Sequence, residues 1–144
     1  MGLIVLDTGI VVAVLDFRDP FHDVAKRRLT AAGNAGDEFL LSVVAYAEVL
    51  TGAISGGRGA ETILDRFLDE LPARIVSVDR EISRAAASLR ASAVAGRQGK
   101  QLRLPDALII ATAVVHGAER VITTDAGWPA VSSGGPTIEI LRPQ

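Results

Sequence analysis

With 144 residues, 49% hydrophobic but only 4% aromatic, the chain is long enough for one domain around a core of Ala, Val, Leu and Ile. Zero cysteines exclude disulfides, thiolate metal sites and a cysteine nucleophile. A net charge of -2, from 15 basic and 17 acidic residues, argues against a general nucleic-acid coat protein, which is usually basic, but does not exclude an enzyme that grips nucleic acid locally.

Residues 3–6 are a four-residue apolar run, as expected of a strand buried on both faces. Asp7 and Thr8 follow with N-cap chemistry for a short helix over 10–15. This apolar N-terminus has no basic leader and carries Asp7 and Asp16, which argues against a signal peptide. Position 6 is Leu where a myristoylation signal wants Ser or Thr. Asp19-Pro20 breaks the chain. A surface helix is predicted over 22–32, with Val24, Ala25 and Leu29 inward and Lys26, Arg27 and Arg28 outward. A turn at 33–36 leads to a second strand over 38–41. Ser42 then caps a helix over 43–54, stopped by Ser55-Gly56-Gly57. A helix over 60–71 ends at Pro72.

A third strand is predicted at 75–78, and Asp79 caps a long helix over 80–95 that closes at Gly96. "GRQGKQLR" reads as a basic loop. Pro105 suits a first helical position and Gly117 a C-terminal stop, so 104–116 is an apolar helix. Strands at 121–123 and 137–141 complete an alternating pattern, which predicts an α/β sandwich around a mainly parallel sheet of about four to five strands. No linker divides the chain, and residues 1–144 are read as a single domain. No apolar run reaches the roughly 18 residues of a membrane span. A cytoplasmic protein is the expectation.

Four carboxylates sit against this pattern. Asp7 ends the first strand and Asp125 follows the fourth, so both project over the rim where open α/β sheets gather ligands. Glu48 lies beside the apolar stripe expected from Val43, Ala47, Leu50 and Ile54, with no basic residue between Phe39 and Gly57. Asp106 shares a helix face with Ile109, Ile110 and Ala113. Each has an ordinary structural explanation. Asp7 can cap a helix, Asp106 can complement a helix dipole, Glu48 can face water and Asp125 can make a turn. Together they would repel one another if they converged, unless a hard cation such as Mg²⁺ or Mn²⁺ neutralised them. Asp7 is therefore a candidate metal ligand.

At these residues the chain resembles the PIN-domain ribonucleases, particularly the VapC-type toxins of toxin–antitoxin pairs. "IVLDTG" is similar to the family's opening strand with its first acid, and "AYAEVLTG" to the helix of the second. "LPDALIIATAVVHGAERVITTDAGW" is the most specific stretch, with Asp106, Thr123, Asp125 and Trp128 in the family's places. Ile110 departs from a common small Ala, Gly9 from a frequent Ser, and Gly127 stands where some relatives carry another acid.

The resemblance implies a PIN-like α/β/α sandwich and phosphodiester hydrolysis of RNA with Mg²⁺, for which Mn²⁺ can substitute. It implies that Asp7, Glu48, Asp106 and Asp125 are the catalytic, metal-binding acids. Thr8 and Thr123 are candidates to orient them by hydrogen bonding. Arg97, Lys100 and Arg103, just before Asp106, are candidate phosphate contacts, with Arg18 a weaker one. A VapB-like antitoxin and a second copy of the chain are the implied partners. Ile54, Ile63 and Leu64 offer a surface for the homodimer. His22 and His116 have no partnering motif and suggest no general base. An acidic-pocket phosphatase or receiver-like protein with Asp7 as nucleophile is the rival reading, beside a PIN-fold binding module without catalysis.

Overall fold

The structure is a computed structural model and describes residues 2–57, 59–93, 102–131 and 134–143. Strand β1 (Leu3–Leu6) runs straight into helix α1 (Thr8–Leu15), and α2 (His22–Asn34) leads to β2 (Glu38–Ser42). Then come α3 (Val43–Ser55), α4 (Ala60–Glu70) and β3 (Ala73–Val76). Helices α5 (Arg80–Ala93) and α6 (Leu104–His116) precede β4 (Arg120–Thr123) and β5 (Thr137–Ile140). The strands form one sheet in the order β3-β2-β1-β4-β5, and every neighbouring pair is parallel.

The apolar runs explain the order. Ile4, Val5, Leu6, Val121 and Ile122 are all buried, because central strands of a parallel sheet are covered on both faces and lose their polar alternation. The edges are more polar, with Arg74 in β3 and Glu139 in β5. From β1 the chain moves outward through β2 to β3, then returns to β4 beside β1 and on to β5. Right-handed crossovers put the two halves of the chain's helices on opposite faces. Accordingly α1 packs on α2 and α3, while α5 packs on α6. The direction of winding reverses between β1 and β4, and such a switch point opens a crevice at the strands' carboxyl ends.

Several local expectations shift. Strand β3 begins two residues earlier than predicted, directly after Pro72, because Phe39 pairs with Ala73 and Ser42 with Val76. Helix α2 continues through Gly33 to Asn34, so the turn is shorter than expected. Helix α3 buries Ala45 and Val49, not the predicted stripe, and leaves Ala47 and Ile54 exposed. The helix is apolar nearly all round, so sequence periodicity could not choose its inner face. Leu64 is fully buried beneath α4 and leaves the proposed dimer surface, whereas Ile54 and Ile63 remain exposed. Arg28 is not a solvated outward cation: it pairs with Glu139 through bonds of 2.6 and 3.0 Å, and Arg120 joins at 3.3 Å. Residues 95 and 96, the expected end of the long helix, lie outside the described residues.

Candidate active site at the carboxyl edge of the sheet

Asp7 directly follows β1 and is still extended, with φ -77° and ψ 157°. Its backbone N–H donates to the Ile122 carbonyl at 3.0 Å, locking it to β4 at the switch point. It does cap α1, but Oδ1 accepts from the very next N–H, Thr8, at 2.7 Å. An ordinary cap reaches one or two residues further. The other oxygen, Oδ2, accepts instead from Thr123 Oγ1 at 2.6 Å. Only 7% of Asp7 is exposed. Burial pushes its pKa from 3.8 up to about 6. The bonds from Thr123 and Thr8 resist that rise, and the nearby Asp106 and Glu48 charges add to it.

The other acids are placed by different elements. Glu48 is exposed on α3, and its Oε1 accepts from Thr8 Oγ1 at 2.8 Å. Asp106 stands half-buried in the first turn of α6, over the fully buried Ile109, Ile110 and Ala113. Burial raises its pKa, Arg103 opposes the rise, and Asp125 and Glu48 reinforce it. Asp125 is exposed in a tight turn, where its Oδ1 accepts the Gly127 N–H at 2.8 Å. Its own N–H donates to Thr123 Oγ1 at 3.0 Å. Thr123 therefore holds Asp7 with its proton and the Asp125 backbone with its oxygen. Both threonines thus donate to a carboxylate of the set, Thr8 to Glu48 and Thr123 to Asp7.

Trp128 is 4% exposed, and its Nε1 is buried without a hydrogen-bond partner. It is near enough to Asp106 to lower that carboxylate's pKa weakly, yet makes no full hydrogen bond. A donor left unmet in this way costs about 1–3 kcal/mol. The sequence marked Trp128 only as a motif aromatic. No pattern of residues could have revealed its unmet N–H.

The cations divide. Arg103, exposed at the start of α6, is near enough to act on Asp106. Arg97 and Lys100 lie outside the described residues. Arg18 pairs with its neighbour Asp16 at 3.2 Å on the surface. His22 is better placed than expected, its Nδ1 2.8 Å from the Ala13 carbonyl, which ties α2 to α1.

Asp7 feels Asp106 and Glu48, and Asp106 feels Asp125 and Glu48. The four acids thus form one electrostatic cluster at the crevice. Among the described residues, no three of the His, Cys, Asp and Glu side chains stand close enough to close on one ion. The donor set is all oxygen, and burial with mutual repulsion disfavours the charged forms of Asp7 and Asp106, so the residues present suit a hard dication.

The PIN domain family profile matches residues 4–133. The chain belongs to the PIN domain family. Its solved neighbours agree on this PIN fold. VapBC2 from Rickettsia felis, bound to a DNA fragment from its promoter, is 20% identical with a TM-score of 0.69, covering 85% of this chain and 88% of the neighbour. A toxin–antitoxin complex from Klebsiella pneumoniae is 26% identical with a TM-score of 0.67, covering 92% and 98%. VapC20 of Mycobacterium tuberculosis, a toxin that cleaves the sarcin–ricin loop, is 19% identical with a TM-score of 0.66, covering 86% and 91%. No curated protein matches the chain. In this PIN domain no helix among the described residues is long and apolar enough to cross a membrane.

Proposed function

We propose that this PIN domain is a divalent-cation-dependent ribonuclease acting as the toxin of a toxin–antitoxin pair. The observation that carries the reading is Asp7: a buried carboxylate, repelled by two other acids, at the switch point of a parallel sheet. The RNA-cleaving VapC20 among the structural neighbours supports the substrate class. Asp7 and Asp106 would hold the ion, with Glu48 and Asp125 completing its surroundings directly or through water. Bound there, Mg²⁺ or Mn²⁺ supplies a nucleophilic water and relieves charge on the scissile phosphate. Thr123 fixes the Asp7 carboxylate and Thr8 fixes Glu48, so neither acid must be ordered as the substrate binds. Arg103 meets a phosphate beside the acids.

A VapB-like antitoxin and a second copy of the chain are the partners we assign. Both need apolar surface, and Val12, Phe17 and Ile63 expose it around a groove of about 440 Å³, with Ile54 exposed on α3 as well. The rival phosphatase reading has less support, since such enzymes want a second acid close in sequence and Asp7 is followed by Thr8 and Gly9. The deciding experiment is RNA cleavage by the purified protein with Mg²⁺ or Mn²⁺, with EDTA, and by Asp7→Asn, beside a phosphatase assay. Cleavage that disappears with EDTA and with Asp7→Asn supports the proposal. EDTA-resistant cleavage, or full activity in Asp7→Asn, overturns it.

A further inference from the structure

Trp128 is the chain's one tryptophan, placed in the turn after β4, where its backbone N–H donates to the Asp125 carbonyl at 3.3 Å. Its buried Nε1 has no acceptor. The four acids are unequal in a complementary way. Asp7 is held by the Thr8 N–H and Thr123 Oγ1, Glu48 by Thr8 Oγ1, and Asp125 by the Gly127 N–H. Among the described residues, Asp106 alone of the four accepts no full hydrogen bond. Among the described residues, the one buried side-chain donor without an acceptor therefore lies near enough to act on the one acidic-cluster carboxylate without a donor.

We propose that Trp128 is a positioning residue, whose indole N–H donates to one Asp106 oxygen and leaves the other turned toward the acidic cluster. An indole is donor-only and neutral. It orients a carboxylate without cancelling the negative charge a cation needs, as Lys or Arg would. The consequence for cation binding rests on the nuclease reading, but the hydrogen bond itself does not.

The test uses the indole cross-peak of the ¹⁵N-labelled protein, which the single tryptophan makes unambiguous. In the cation-free protein, Asp106→Ala should move this peak upfield, whereas Glu48→Ala should leave it in place. Calorimetric titration with Mg²⁺ should then show Trp128→Phe binding about tenfold more weakly than the parent, in keeping with loss of a ligand-orienting partner, while its far-UV spectrum is unchanged. An indole peak indifferent to Asp106→Ala overturns the proposal, and so does a folded Trp128→Phe that binds Mg²⁺ like the parent. Should the parent bind no Mg²⁺, the nuclease reading fails, and the peak still decides the hydrogen bond. Should Trp128→Phe not fold, the Asp106→Ala spectrum alone decides.

Discussion

Thr123 and Asp7, 116 positions apart in the chain, are joined by a buried hydrogen bond of 2.6 Å across adjacent parallel strands. The threonine hydroxyl simultaneously accepts from the Asp125 N–H. One hydroxyl thus sets the orientation of a carboxylate from the first strand and of the turn after the fourth.

Thr123→Val keeps the shape but removes both bonds. It should destabilise the fold by about 1–3 kcal/mol, the cost of leaving a buried acceptor unmet. RNA cleavage should fall about tenfold to a hundredfold. Thr123→Ser should recover most of both. Urea unfolding and a cleavage assay on the two variants check this, and equal behaviour of Val and Ser would show that the hydroxyl does not matter.

Asp7 makes the stability of the cation-free protein depend on pH. Its folded pKa of about 6 lies above the unfolded value of 3.8, so the folded state binds the proton more tightly. The contribution is fully present below about pH 4 and is lost as pH rises through 6. The gap corresponds to about 3 kcal/mol at most. Asp7→Asn cannot ionise, so it should gain on the parent by about that amount between pH 4 and 7.5. Unfolding curves for both proteins across this range measure the difference directly.

Ile110 is fully buried, so its whole side chain is packed within the core. Ile110→Ala should leave a cavity and cost about 2–5 kcal/mol. Denaturant unfolding checks this, and a loss under 1 kcal/mol would mean that the site collapses freely.

Glu139 on the edge strand is shared by Arg28 of α2 and Arg120 of β4. Glu139→Gln leaves two half-exposed guanidinium groups facing each other. The loss should be about 1–2 kcal/mol, because the Arg28 pair is bidentate and only partly exposed. It should shrink in high salt as the remaining repulsion is screened. A loss that does not change between 0.05 and about 1 M salt would point to packing instead.

The alternating elements, the family and the acids were all legible in the residues. Buried parallel strands announce themselves as apolar runs, and Pro105 and Gly117 mark their helix from both ends. The inner face of α3 was not legible, because a helix apolar all round carries no phase. Nor was the start of β3, which its pairing with β2 sets. The partner of Arg28 was hidden too, since Glu139 lies 111 positions away.

What the sequence determined alone was chemistry: which carboxylates are misplaced, and that strand ends carry two of them. Local patterns suffice there, because burial of a strand and the cost of burying a charge are written in neighbouring residues. Only the tertiary structure decided which acids feel each other, which hydroxyl holds which oxygen, and that Trp128 keeps a donor unspent. Those depend on distances between residues brought together by the winding of the sheet, and a linear order of side chains contains no such distances.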